Sequence, residues 1–100
     1  MELRVGQIVI SKAGRDKGDV FVVYAVDGIY ALLVDGKGRP LANPKRKKRM
    51  HIQPTLTVDG VLAEKIAQNA YLLDADFRKV IKNFRSSEAD KRQGGGHIHG

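Results

Sequence analysis

The chain contains no cysteine and no tryptophan, and only three prolines and six aromatic residues in its hundred positions. Without a thiol there is no disulfide framework, no thiolate nucleophile and no thiolate metal site, so nothing implies an oxidising compartment and the cytoplasm is the expected location. Long apolar runs are missing too. The longest, Val20 to Val26 and Ile29 to Val34, are split by Asp27-Gly28, and neither a signal peptide nor a membrane span fits. Acidic charge is scarce: eleven Asp and Glu stand against eighteen Lys and Arg, a net charge of +7. Such an excess says little about fold but favours anionic partners, chiefly nucleic acid. It is concentrated in the first half, where residues 1–54 hold 11 basic and 5 acidic side chains against 7 and 6 in residues 55–100. An amphipathic membrane surface is disfavoured, because the basic run has no apolar helix face beside it.

One hundred residues suit a single core. The first half reads as β-structure: "QIVISK", "VFVVYAV" and "IYALLV" are short, rich in Val, Ile, Tyr and Phe, and bounded by glycine and aspartate. Asp27-Gly28 has the residue types of a two-residue type I′ turn. "DGKGRP" at 35–40 is a second turn, and Pro40 and Pro44 argue against a regular central strand between them. A short fourth strand is expected near Arg49 to Gln53. Antiparallel strands with tight turns in about fifty residues point to a small SH3-like β-barrel. Strict alternation fails in "VFVVYAV" and "IYALLV", so both faces of these strands need cover. "DADFRKVIKNF" supplies it, with Phe77, Val80, Ile81 and Phe84 on one helical stripe, Asp74 as expected N-cap and Asp76 in the first turn. "VDGVLAEKIAQNA" places Val58, Leu62 and Ile66 on one face of an earlier helix. The expected class is therefore α+β, a barrel over 1–54 followed by two short C-terminal α-helices over 55–86. A flexible tail is expected over 87–100, where periodicity is lost and glycine accumulates.

Five consecutive cations, Lys45, Arg46, Lys47, Lys48 and Arg49, repel one another unless a counter-charge meets them. A phosphate backbone meets that need, and engaging about four phosphates gives a log–log salt slope near −3 to −4. A solvated loop or a localisation signal is the plainer reading of such a run. What favours binding is company: Lys12, Arg15 and Lys17 lie on the first turn, Lys37 and Arg39 on another. Tyr24 and Tyr30 are the candidates for base stacking, although strand tyrosines are mostly packing residues.

"SKAGRDKGDVF" also raises a nucleotide site. A Walker-type loop needs four residues between its glycines, then Gly-Lys-Ser/Thr opening a helix. Gly14 and Gly18 have three residues between them, Asp19 follows, and a strand comes next. "DGKGRP" lacks the third glycine of a dinucleotide fingerprint. Gly14 and Gly18 are read as turn glycines that present the side chains between them. The three histidines, Ser11, Ser86 and Ser87 assemble no nucleophile, base and orienting group, so no enzyme is expected. His97 and His99 are two ligands and do not make a zinc site. No metal and no cofactor are expected.

"VGQIVISKAGRDKGDVFVVYAV" resembles the KOW motif, a strand, loop and strand unit of ribosomal proteins and transcription elongation factors. Gly18 matches its characteristic glycine and "AGRDKG" its polar loop. The continuation "DGIYALLVDGKGRPLANPKRKKRMHIQPT" is similar to the KOW-containing large-subunit ribosomal proteins of archaea and eukaryotes and to related small bacterial proteins. The likeness covers about residues 4–54, and departs from the commoner ribosomal pattern at Phe21, where a further glycine often occurs. It implies a KOW-type SH3-like barrel that binds structured RNA, ribosomal RNA first, with ribosomal proteins as further partners. The implied contacts are the loop at Lys12, Arg15 and Lys17 and the run Lys45 to Arg49. The alternative is a protein-interaction adaptor in transcription or translation, since a barrel alone does not fix function.

Overall fold

A computed structural model describes the backbone of residues 2–97 and the side chains of residues 2–89. The strands are β1 (Gln7–Ser11), β2 (Val20–Asp27), β3 (Tyr30–Val34), β4 (Lys45–Lys48) and β5 (Ile52–Val58), with one 3₁₀ turn at Arg49–His51 between the last two. Two helices follow, α1 (Gly60–Ala67) and α2 (Asp74–His97). The strands form one antiparallel sheet in the order β4-β3-β2-β1-β5. A flat sheet of this order would hold β4 and β5 about 19 Å apart. A three-residue 3₁₀ turn advances only about 6 Å, so the open sheet has to curl until its edges approach.

The curl separates two apolar clusters. On the concave side Ile52 of β5 packs with Ala31 and Leu33 of β3, together with Val9, Phe21 and Val23. On the other face Ile8, Val20, Val22 and Val34 meet Leu62 of α1 and Phe77 and Ile81 of α2. The non-alternating strands are thus covered on both sides, by the curled sheet itself on one and by the expected helical stripe on the other. Phe77 is fully buried, while Val80 and Phe84 pack at the margin.

Four expectations need correction. The hairpin between β2 and β3 turns on Gly28 and Ile29, because Asp27 pairs with Tyr30. Gly28 alone there has positive φ, +62°, a type II′ signature and not type I′. Core pairing explains the slip. Val23 opposes Leu33 and Val22 opposes Val34, each pair on one face, with an irregularity between Val23 and Ala25 absorbing the offset. A turn centred on Asp27-Gly28 would set Val23 opposite Leu32 and mix the faces. The strand expected at Arg49–Gln53 is instead the 3₁₀ turn plus the start of β5. That strand passes the boundary at 54 and ends at Val58. It tolerates Pro54 because it lies at the sheet edge. Asp74 is not the N-cap of α2. Its Oδ1 accepts from the Leu41 N–H at 2.7 Å, while Asp76 Oδ2 accepts from the Leu73 N–H at 2.8 Å, the N3 half of a capping box. Finally, α2 continues past the boundary at 86 to His97. The side chain of His97, and all of His99, lie outside the described residues.

Candidate functional site

The segment between β1 and β2 starts from Ser11, whose N–H donates to Asp19 O at 3.0 Å while its carbonyl accepts from Gly18 N at 2.9 Å. The chain reverses inside that bracket with Gly14 at φ +88° and Gly18 at φ +91°, values that an L side chain rarely adopts. The two glycines are therefore turn devices, as the sequence implied. Asp19 N–H closes the loop onto Asp16 O at 2.8 Å.

Asp16 points inward. Its Oδ1 accepts from Ser11 Oγ at 2.8 Å and from Lys47 Nζ at 2.9 Å, and Lys47 Nζ also donates to Ala13 O at 2.8 Å. Lys45 Nζ stands 3.7 Å from Asp16 Oδ2. Burial by itself would raise the Asp16 pKa. The hydrogen bonds from Lys47 and Ser11, with the charges of Lys47 and Lys45, outweigh that and hold the carboxyl below its ordinary value. One carboxylate thus clamps the first loop to the basic run from two sides. From sequence Asp16 carries no assigned role, and Ser11 stands only among the candidate nucleophiles. The signal that could have found them is an acid inside a cationic loop, five residues after a serine that ends an apolar strand.

The basic run is an edge strand, not a loop, and its side chains alternate. Lys45 and Lys47 oppose Leu33 and Ala31 and share their inner face. Lys47 is only 9% exposed, so it belongs to the loop clamp and not to a phosphate-binding surface. Arg46 and Lys48 are exposed on the other face. Arg46 stacks over the Tyr30 ring at 3.6 Å from its centroid, a cation–π contact that covers one face of that ring. Tyr24 is half-buried edge-on to Phe77, with 6.3 Å between centroids; it is a packing residue. Arg49 leans back to the hairpin tip, donating to Gly28 O at 3.2 Å.

Of the ten predicted contacts, the fold gathers Arg15, Arg39 and Lys45 around one shallow depression of about 350 Å³, floored in part by Phe21. Three stretches far apart in sequence supply them. Lys12 and Lys17 are exposed on the same loop as Arg15. Lys37 is exposed beyond the depression, on a turn whose N–H groups at Lys37 and Arg39 donate to Asp35 Oδ1 at 2.8 and 2.9 Å. Arg46, Lys48 and Arg49 do not line the depression. Among the described residues no helix is long and apolar enough to cross a membrane. Neither a scan against protein-family models nor a search of curated proteins finds a match for this chain.

Proposed function

We propose that the protein binds structured RNA, ribosomal RNA first, using phosphate contacts for positioning and not base readout. The observation that carries this reading is the convergence of Arg15, Arg39 and Lys45 on one depression, beside a loop held in place by the Asp16–Lys47 pair. Of the three cations, Arg15 is exposed while Arg39 and Lys45 are half-buried; cations held on a fixed frame lose little entropy when a phosphate arrives, whereas cations on a free loop lose more. Asp16, Asp19 and Asp35 share the lining with the three cations, and a shallow charged surface of this kind suits an extended polar chain better than a small molecule, which needs a deeper apolar cavity. The curled sheet and its loop agree with the KOW resemblance of residues 4–54, so an SH3-like barrel of KOW type is part of the same proposal. Binding in a salt series is the direct test. Arg15→Glu with Lys17→Glu is expected to fold normally and bind an RNA hairpin poorly, with a shallower salt dependence. Unchanged affinity and slope would make the loop no more than a turn.

The second reading, a protein-interaction adaptor, is favoured by one feature: β5 is an open sheet edge carrying Leu56, 93% exposed. Such an edge suits strand addition by a partner. A complex from cells that survives nuclease treatment would support it, and one that dissolves would support RNA.

A further inference from the structure

The sequence assigned nothing to the C-terminal helices, yet α2 is polarised. Phe77, Ile81 and Phe84 take its core stripe, and Arg78, Lys82 and Arg85 fall at i, i+4 and i+7 on one flank beside it. That flank forms one wall of a groove of about 560 Å³ whose lining also includes Asp19, Asp35 and Lys37. Arg78 is the fixing bolt. It donates to Gly36 O at 2.7 Å and holds α2 against the 35–39 turn. Lys82 and Arg85 are exposed.

Asp19 and Asp35 line both this groove and the depression at Arg15, Arg39 and Lys45. The two are therefore one continuous surface with a carboxylate seam across its middle. We infer that α2 is a second half of the RNA-binding surface, with Lys82 and Arg85, joined by Lys37, gripping phosphates of the same RNA that Arg15, Arg39 and Lys45 hold. This rests on the RNA-binding reading. Charge complementarity chooses the occupant: Lys37, Lys82 and Arg85 project cations around an open groove, and a sugar–phosphate backbone is long enough to cover both ends of the surface. The seam has a consequence. Carboxylates repel phosphate, so the backbone is held at two separated points and lifts away between them, which favours a bent or folded RNA over a continuous thread.

The test uses the full chain and a fluorescently labelled RNA hairpin, with anisotropy measured across a salt series. Lys82→Gln with Arg85→Gln lies on exposed helix, so circular dichroism and melting are expected to match the parent. The salt slope should fall by about 2, one for each lost phosphate contact, with affinity weakened on the order of tenfold near physiological salt. Lys82→Arg with Arg85→Lys should restore both. If the glutamine variant keeps the parent's slope and affinity while Arg15→Glu with Lys17→Glu loses binding, the α2 inference is overturned and the RNA reading stands. Weaker binding at an unchanged slope also overturns it, since no phosphate contact would have been removed. A parent that ignores the hairpin sinks the RNA reading and this inference with it.

Discussion

Replacing Asp16 by alanine is the most informative single perturbation, because it strands a buried cation. Lys47 is 9% exposed and makes two hydrogen bonds, to Asp16 Oδ1 at 2.9 Å and to Ala13 O at 2.8 Å. Removing one partner of a buried ion pair costs about 3–5 kcal/mol, mostly through the uncompensated charge left behind. Lys47 keeps Ala13 O and has a partial route to water, which places Asp16→Ala at the lower end, about 3 kcal/mol. Loss of the Ser11 Oγ bond is contained in that figure, since the hydroxyl can turn to Ala13 O at 3.1 Å. For a domain of this size 3 kcal/mol lowers the melting temperature by about 12–24 °C. Urea titration of the parent, Asp16→Ala, Lys47→Met and the double variant closes the cycle. Lys47→Met is expected to cost less, because Asp16 retains Ser11 and the nearby Lys45, and the double variant should lie close to Asp16→Ala or above it in stability. The expected coupling is about 2 kcal/mol. A coupling below about 0.5 kcal/mol, the additivity limit for independent sites, would refute the claim that this pair fastens the loop to the sheet.

Other outcomes follow from the same geometry. The folded-state pKa of Asp16 is depressed, so its stabilisation is complete above the ordinary carboxylate range and disappears as pH falls through the folded value. The stability gap between the parent and Asp16→Asn should be full at pH 7 and close progressively below about pH 4; a gap that stays constant as pH falls below the ordinary carboxylate range would contradict this. Gly18→Val puts a β-branched residue at φ +91° with open space around its Cβ, so the cost is backbone strain of about 1–3 kcal/mol with no clash, read from the urea midpoint. Phe77→Ala empties the centre of the helix-facing cluster and should cost about 3–5 kcal/mol, with loss of helical ellipticity on heating before the sheet signal if α2 detaches first.

Period-2 and period-3.6 patterns carried the fold because burial is written into them. The "VFVVYAV" run announced cover on both faces, and Phe77, Val80, Ile81 and Phe84 announced where that cover lies. Turn chemistry was less reliable. Asp27-Gly28 has ideal local residues, yet the matching of Val22 with Val34 and Val23 with Leu33 is set by burial of whole side chains and moves the turn by one position. Among the candidate site residues, Lys12, Arg15 and Lys17 were legible as one loop because they are close in sequence. The meeting of Arg15, Arg39 and Lys45 was not, since it depends on the sheet curling. The α2 flank was missed because its cations are diluted by acids elsewhere in the second half, so the segment's charge count hides a one-sided distribution.

The cationic run raises a question of register that its own residues do not answer. "KRKKR" has no apolar alternation, so pattern alone leaves two equivalent ways to lay β4 on β3, one residue apart, each presenting a different set of cations to solvent. Asp16 breaks the tie. With Lys47 drawn inward to 2.9 Å from its carboxylate and Lys45 to 3.7 Å, Arg46 and Lys48 are forced outward by the pleat, and Arg46 then finds the Tyr30 ring. An apolar pair would offer comparable stability but would leave the charges no reason to prefer one register. It follows that Asp16→Ala should loosen the β4 register, whereas Arg46→Met, on the outer face with Lys47 and Asp16 retained, should leave the strand in place. Amide exchange across the β3–β4 ladder distinguishes these outcomes, because a slip of one residue exchanges the protected and exposed N–H groups along β4.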